Sequence, residues 1–240
     1  MSGHSKFANI KHKKAKNDAI KGKIFTRYGR EIMLAAREGG KDLETNPRLK
    51  EIVRKAKSNN MPNDTIDRAI KRGVGDLGDT VFEQIRYEGY GPNGVAIIVD
   101  ALTDNRNRSA ANIRNAFTKG SGNMGTSGCV SFMFQEKGVI YIENNGENPD
   151  ELMEFALENG AEDFEIEEEG FVIYTTREFY YNIMNALEKS NITPISAEIT
   201  LIPDTYATLT DETDIKNMNK ILNLLDEEND VQEVYTNLEE

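Results

Sequence analysis

Six segments in the C-terminal half decide the fold: VIYIE at 139–143, DELMEFALEN at 150–159, FEIEE at 164–168, FVIYT at 171–175, EFYYNIMNALEK at 178–189 and AEITLI at 197–202. The short runs rich in β-branched and aromatic residues read as strands, and the two longer segments between them read as helices. Their order, β-α-β-β-α-β, is the ferredoxin-like arrangement.

Working outward, the same alternation continues on both sides but is incomplete. Upstream lie a strand over Ile85–Tyr90, a turn at Gly91-Pro92-Asn93-Gly94, an apolar strand over Val95–Ala101 and a helix over Asp104–Lys119 with Ala110, Ile113 and Phe117 inward. A glycine-rich stretch, 120–128, reads as a flexible connection, followed by a strand over Cys129–Phe134. Downstream come a helix over Asp214–Leu225 and a strand over Val231–Tyr235. These last two elements need partners, and the unfinished β-β-α-β layer before residue 135 supplies them. The expectation is therefore a split domain, 80–134 with 203–240, into which 135–202 is inserted. One continuous α+β domain is the alternative.

The first 79 residues have a different period. Ile20, Ile24, Tyr28 and Ile32 fall at steps of four, and Gly39-Gly40 ends that helix. Asn46-Pro47 is a helix start, with Leu49, Ile52, Val53 and Ala56 on one face. Asn59-Asn60 breaks the second helix, Pro62 opens a third carrying Ile66, Ala69 and Ile70, and 73–79 is a linker. The fold class expected is α+β and multidomain: an N-terminal three-helix bundle plus two α+β domains, the third ferredoxin-like and inserted in the second.

The formal net charge of −12 hides an asymmetry. Residues 1–75 hold 19 Lys+Arg and 8 Asp+Glu, a balance of +11, which leaves −23 for the remainder. Clustered basic charge is the usual footprint of nucleic-acid binding, whereas the acidic part is repelled by phosphate and must face away from it or touch a basic surface. The alternative is a pair of solvated charged faces. A single cysteine, Cys129, excludes an internal disulfide framework and fits a reducing cytoplasm. No apolar run approaches the ~20 residues needed to span a bilayer, so no membrane partner is expected, and the first residues carry no secretory or myristoylation signal.

Residues 1–16 carry Lys6, Lys11, Lys13, Lys14 and Lys16 and no acidic residue. With His4, His12 and Phe7 interleaved, this arm offers cations to phosphates and one ring to a base. Fully extended it reaches roughly 50 Å. Arg106 and Arg108 open a helix, where cations oppose the helix dipole. An anion bound among them accounts for that placement, and so does pairing with nearby carboxylates. The stretch 120–128 lacks the Gly-Lys-Ser/Thr ending of a phosphate loop. Two histidines and one cysteine cannot build a structural zinc site, and no nucleophile elbow is present. No metal, cofactor or catalytic residue is expected.

The motifs Gly-His-Ser-Lys-x-Ala-Asn-Ile-Lys-His at 3–12, Lys23-Ile24-Phe25-Thr26, Asn46-Pro47-Arg48-Leu49, Ser58-Asn59-Asn60-Met61-Pro62, Tyr87-Glu88-Gly89-Tyr90-Gly91-Pro92, Asp104-Asn105-Arg106-Asn107-Arg108 and Asp230-Val231-Gln232-Glu233-Val234-Tyr235 resemble, in order and nearly end to end, those of the YebC family. The resemblance implies a helical bundle with two α+β domains and no catalysis. It implies binding through the arm residues His4, Lys6, Lys11, His12, Lys13 and Lys14 with neighbouring Lys21, Lys23 and Arg27. Where the family usually has tryptophan this chain has Phe7, whose smaller ring stacks less strongly. Bacterial members are named as probable DNA-binding transcriptional regulators. Mitochondrial relatives, the translational activators of cytochrome oxidase, look like ribosome-associated factors.

Two readings of function therefore stand level. One is a cytoplasmic DNA-binding transcriptional regulator. The other is a translation factor bound to ribosomal RNA or the ribosome. An enzyme or a purely structural protein is a third, for which no constellation of site residues speaks.

Overall fold

In the computed structural model, residues 21–75 and 82–239 are described, with side chains from Lys23 onward. Helix α1 (Lys21–Gly39) presents Ile32, Ala35 and Ala36 to α2 (Pro47–Ser58) and α3 (Asn63–Gly73), which return Leu49, Ile52, Val53, Ala56, Ile66 and Ala69. Asn46 sets the entry to α2. Its side-chain oxygen accepts from the Leu49 N–H (3.0 Å), and its amide donates to the carbonyls of Ala35 and Gly40 (both 2.9 Å), so one buried side chain caps α2 and ties it to the end of α1. Helix α3 crosses α1 closely enough that a Cβ on Gly73 would lie 2.4 Å from the Met33 carbonyl oxygen.

Strands β1 (Glu83–Tyr90) and β2 (Ala96–Thr103) form a hairpin in which Tyr87 faces Val99. Helix α4 (Arg106–Lys119) and the two-residue strand β3 (Asn123–Met124) follow. The next unit, Phe134–Asp204, contains β4 (Phe134–Glu143), α5 (Pro149–Glu158), β5 (Ala161–Glu167), β6 (Gly170–Thr175), α6 (Arg177–Lys189) and β7 (Ser196–Pro203). Its sheet is antiparallel in the order β5-β6-β4-β7, the ferredoxin-like order. Ile140, Ile142, Phe171 and Ile173 from the sheet pack with Leu152, Ala156, Tyr180, Ile183 and Leu187 from the two helices.

The chain then returns with α7 (Glu212–Glu227) and β8 (Val231–Thr236) to complete the first sheet, β3-β1-β2-β8. Helices α4 and α7 cover the face that carries Tyr87, Val95, Ile97, Val99 and Val231, burying Ile113, Phe117, Met218, Ile221 and Leu225. The fold class is the expected α+β, multidomain one. A register shift at Asp100/Ala101 pairs Ala101 with Val231 but Asp100 with Glu233. That β-bulge marks the start of β8, where the Asp230 carbonyl accepts from the Leu102 N–H (2.7 Å).

Two local expectations are corrected. The stretch 120–128 is not a free connection. The Gly122 N–H donates to the Phe117 carbonyl (2.8 Å), Asn123–Met124 pairs with β1, and the Gly125 N–H donates to the Glu88 carbonyl (2.8 Å). The approach of β3 requires Gly89, because a Cβ there would lie 2.4 Å from the Asn123 carbonyl oxygen. Nor is 129–134 a strand: Ser131–Met133 is a single 3-10 turn, and β4 begins at Phe134. The reason is the buried carboxylate of Glu88. It accepts from the N–H groups of Gly128 (2.8 Å), Val130 (2.9 Å) and Ser131 (2.8 Å), so those donors are not available to a ladder. Burial alone would raise the Glu88 pKa, but these backbone donors together hold it below the ordinary carboxylate range.

Glu88→Ala is expected to strand three backbone donors and cost about 3 kcal/mol. Because the folded pKa lies below the unfolded one, the stabilisation from Glu88 is present above the unfolded carboxylate range and is lost as pH falls through the folded value. Denaturant melts at neutral and acidic pH check both points: the gap between parent and variant should narrow in acid.

Candidate nucleic-acid interface

Of the residues expected to bind, His4, Lys6, Phe7, Lys11, His12, Lys13, Lys14 and Lys16 lie outside the described residues, as does the side chain of Lys21. The others are placed, and the structure pairs each of them with carboxylates of the same chain.

Lys23, Arg27 and Arg30 stand four and three residues apart and share one face of α1. That face meets the acidic run at the end of α7 and the start of β8. Lys23 Nζ lies 3.9 Å from Asp226, is buried, and has no hydrogen-bond partner among the described residues. Burial lowers its pKa, with Asp226 opposing. Arg27 lies 3.6 Å from Glu233. Arg30 Nη1 donates to Asp230 Oδ1 and to the Asn229 carbonyl (both 2.7 Å), lies 3.1 Å from the Leu102 carbonyl, and the guanidinium sits 5.4 Å from the centre of the Phe82 ring.

Asp230 is the centre of this arrangement. It is 1% exposed. While Oδ1 takes Arg30, Oδ2 accepts from Ser109 Oγ (2.5 Å), Arg108 Nη2 (2.8 Å) and Thr103 Oγ1 (3.0 Å). Thr103 Oγ1 in turn accepts from the Asn105 N–H (2.9 Å), and Asn105 caps α4 by accepting from the Arg108 N–H (3.1 Å). Burial pushes the Asp230 pKa up, but the donors from Ser109, Arg108, Arg30 and Thr103 outweigh it and bring it to about 2.

The two arginines at the start of α4 thus differ. Arg108 completes a buried cluster, donating also to Asp104 (2.8 Å), and these two carboxylates raise its pKa. The carboxylate of Asp230, at the first turn of α4, is the anion that sets arginine there at ease with the helix dipole. Arg106 is largely exposed, with Glu83 3.3 Å away. Four members of this cluster escaped the reading of the sequence: Asp230, Thr103, Ser109 and Arg30. The last was accessible, being one turn on from Arg27 on the same helix face. The other three were not, because nothing local marks a carboxylate or hydroxyl for burial. Among the described residues no cluster of His, Cys, Asp and Glu could hold a metal ion, and no helix is long and apolar enough to cross a membrane.

Glu31 lies on the same helix. Its pKa is pushed up to about 7, first by burial and then by the Glu233 carboxylate, with Arg27 opposing. A carboxyl group whose folded pKa exceeds its unfolded value binds more protons when folded, so stability falls as pH rises between about 4.5 and 7. Glu31→Gln is therefore expected to leave the melting temperature unchanged near pH 4 and to raise it at pH 8. Asp230→Ala, which leaves Arg30 and Arg108 without their shared acceptor, is expected to cost about 3 kcal/mol at neutral pH. Thermal melts of both variants at the two pH values check these outcomes.

The family model described as the TACO1/YebC N-terminal domain matches residues 5–76, and that of the TACO1/YebC second and third domain matches 82–238. A relative from Lachnoclostridium phytofermentans, named a probable transcriptional regulatory protein, is 57% identical over the full length of both chains. One from Clostridium beijerinckii with the same name is also 57% identical, covering all of this chain and 97% of that protein. The crystal structure of a conserved hypothetical protein from Aquifex aeolicus superposes with a TM-score of 0.81 at 45% identity, covering 94% of this chain and 93% of that one. With both parts of the chain matched by its models and full-length relatives well above half identical, the chain belongs to the TACO1/YebC family.

Proposed function

We propose that this chain is a non-enzymatic, cytoplasmic, DNA-binding transcriptional regulator that holds nucleic acid through its basic N-terminal part. The observation that carries the reading is the charge division, +11 over residues 1–75 against −23 over the rest. Part of that division is answered inside the molecule, where Lys23, Arg27 and Arg30 meet Asp226, Glu233 and Asp230. Of the residues the sequence nominates, those proposed to meet a partner are the arm residues His4, Lys6, Phe7, Lys11, His12, Lys13, Lys14 and Lys16, with Lys21 and the exposed Arg106. The name carried by the relatives supports the regulatory side of this reading. In domain terms, residues 1–79 bind, the split domain 80–134 and 203–240 carries them, and the inserted domain 135–202, with its acidic β5–β6 hairpin, takes no part in binding phosphate.

Changing Lys11, Lys13 and Lys14 together to glutamine is expected to leave folding intact. It should weaken binding to duplex DNA and flatten the log–log salt dependence by up to about three, since each neutralised phosphate releases roughly one counterion. Phe7→Ala is expected to lower affinity with no change of salt slope if the ring stacks on a base. Anisotropy titrations over a range of salt, on duplex DNA and on purified ribosomes, check both. Tight, salt-dependent binding to ribosomes with none to DNA would replace the transcriptional reading with a translational one.

A further inference from the structure

The helical bundle carries a second set of cations that the α1 face does not consume. On α2, Arg48 pairs with Glu38, and Lys55 pairs with Glu51 at 3.0 Å. Lys50, Arg54 and Lys57 remain. All three are exposed, Arg54 and Lys57 have no ion pair among the described residues, and Lys50 has only the exposed Glu44 at 3.7 Å. At 3.6 residues per turn, positions 50, 54 and 57 fall within about 60° of one another on one flank of the helix and span roughly 10 Å along its axis. Three like charges in a row repel one another, so the sequence maintains this stripe at a small cost in stability.

We infer that the flank of α2 bearing Lys50, Arg54 and Lys57 is a contact surface for nucleic-acid backbone. The inference rests on the proposed function and extends it from the arm to a rigid element. Two features favour phosphate as the partner. The stripe is all positive: the one acidic residue of α2, Glu51, is engaged by Lys55. And α2 is held in place before any ligand arrives, capped by Asn46 and packed through Leu49, Ile52, Val53 and Ala56, so the three cations are presented on a fixed scaffold. A duplex carries about one charge per 1.7 Å of axis, so a ~10 Å stripe faces several phosphates. Helix α3 shows the contrast. Its cations Arg68, Lys71 and Arg72 share their face with Asp64 and Asp67, so that face carries both signs of charge.

The test uses the full chain. The triple variant Lys50→Gln, Arg54→Gln, Lys57→Gln is compared with Arg68→Gln, Lys71→Gln, Arg72→Gln, which removes the same charge from α3. Circular dichroism melts show whether each is folded, and anisotropy on a duplex of about 30 base pairs is measured across salt. The α2 triple should lose at least tenfold in affinity at moderate salt and flatten the log–log salt slope by about two to three. The α3 triple should change affinity less than about threefold. Equal weakening by both triples would mean that net charge alone matters, and no weakening by the α2 triple would mean that the stripe is not a contact; either result overturns the inference. A parent that binds while only the arm variant fails leaves the functional reading standing without the stripe. A parent that binds no DNA at all overturns both. Lysine-to-arginine changes at 50 and 57 should retain binding.

Discussion

The carboxylate of Asp230 is the constraint on which the rest of the first unit depends. It is buried, and a buried carboxylate without donors would be protonated or would unfold its surroundings. Four side chains from three places in the chain supply those donors: Arg30 from α1, Thr103 from the end of β2, and Arg108 and Ser109 from the first turn of α4. Asp230 itself stands at the β-bulge that opens β8. A single group therefore joins the helical bundle to the sheet, fixes the N-terminus of α4 and marks where the last strand enters. Because removing any one donor leaves charge unanswered in a buried place, the cluster is expected to break as a unit rather than piece by piece.

This clamp changes the meaning of the charge asymmetry. A basic stretch ahead of an acidic body suggests two surfaces that avoid each other. In the structure, part of each is turned toward the other: the face of α1 with Lys23, Arg27 and Arg30 lies against Asp226, Asp230 and Glu233. The pairing engages Lys23 and Arg27, two of the cations nominated from the sequence, with carboxylates of the same chain. It also sets a pH-sensitive contact within the same interface, since Glu31 and Glu233 repel when both are ionised.

Much of the architecture was legible in the sequence because it is written in periods. Alternation over 139–143 and 171–175, helical spacing over 178–189, and the glycines and prolines between them specify the ferredoxin-like order without any tertiary information. The return of α7 and β8 to a sheet begun before residue 135 followed from an unfinished layer needing partners. The glycine-rich stretch at 120–128 was misread because composition speaks for backbone freedom, while its order comes from the pairing of β3 with β1, and the Glu88 carboxylate gathers the N–H groups of Gly128, Val130 and Ser131 that follow it. The candidate site was legible in charge alone. Which cations are occupied depends on where distant carboxylates come to rest, Asp230 being 122 residues from Arg108 and 200 from Arg30, and no local pattern carries that.

The central claim is that Lys23, Arg27 and Arg30 of α1 serve the fold while the arm and the α2 flank serve the ligand. Lysine reactivity tests it most directly: brief acetylation of the full chain with and without duplex DNA, with each site quantified by mass spectrometry. The account predicts that Lys23 is slow to react in both states, and that Lys11, Lys13, Lys14, Lys50 and Lys57 react freely alone and become protected by DNA. A Lys23 that reacts freely and gains protection from DNA, with Lys50 and Lys57 unchanged, would contradict it.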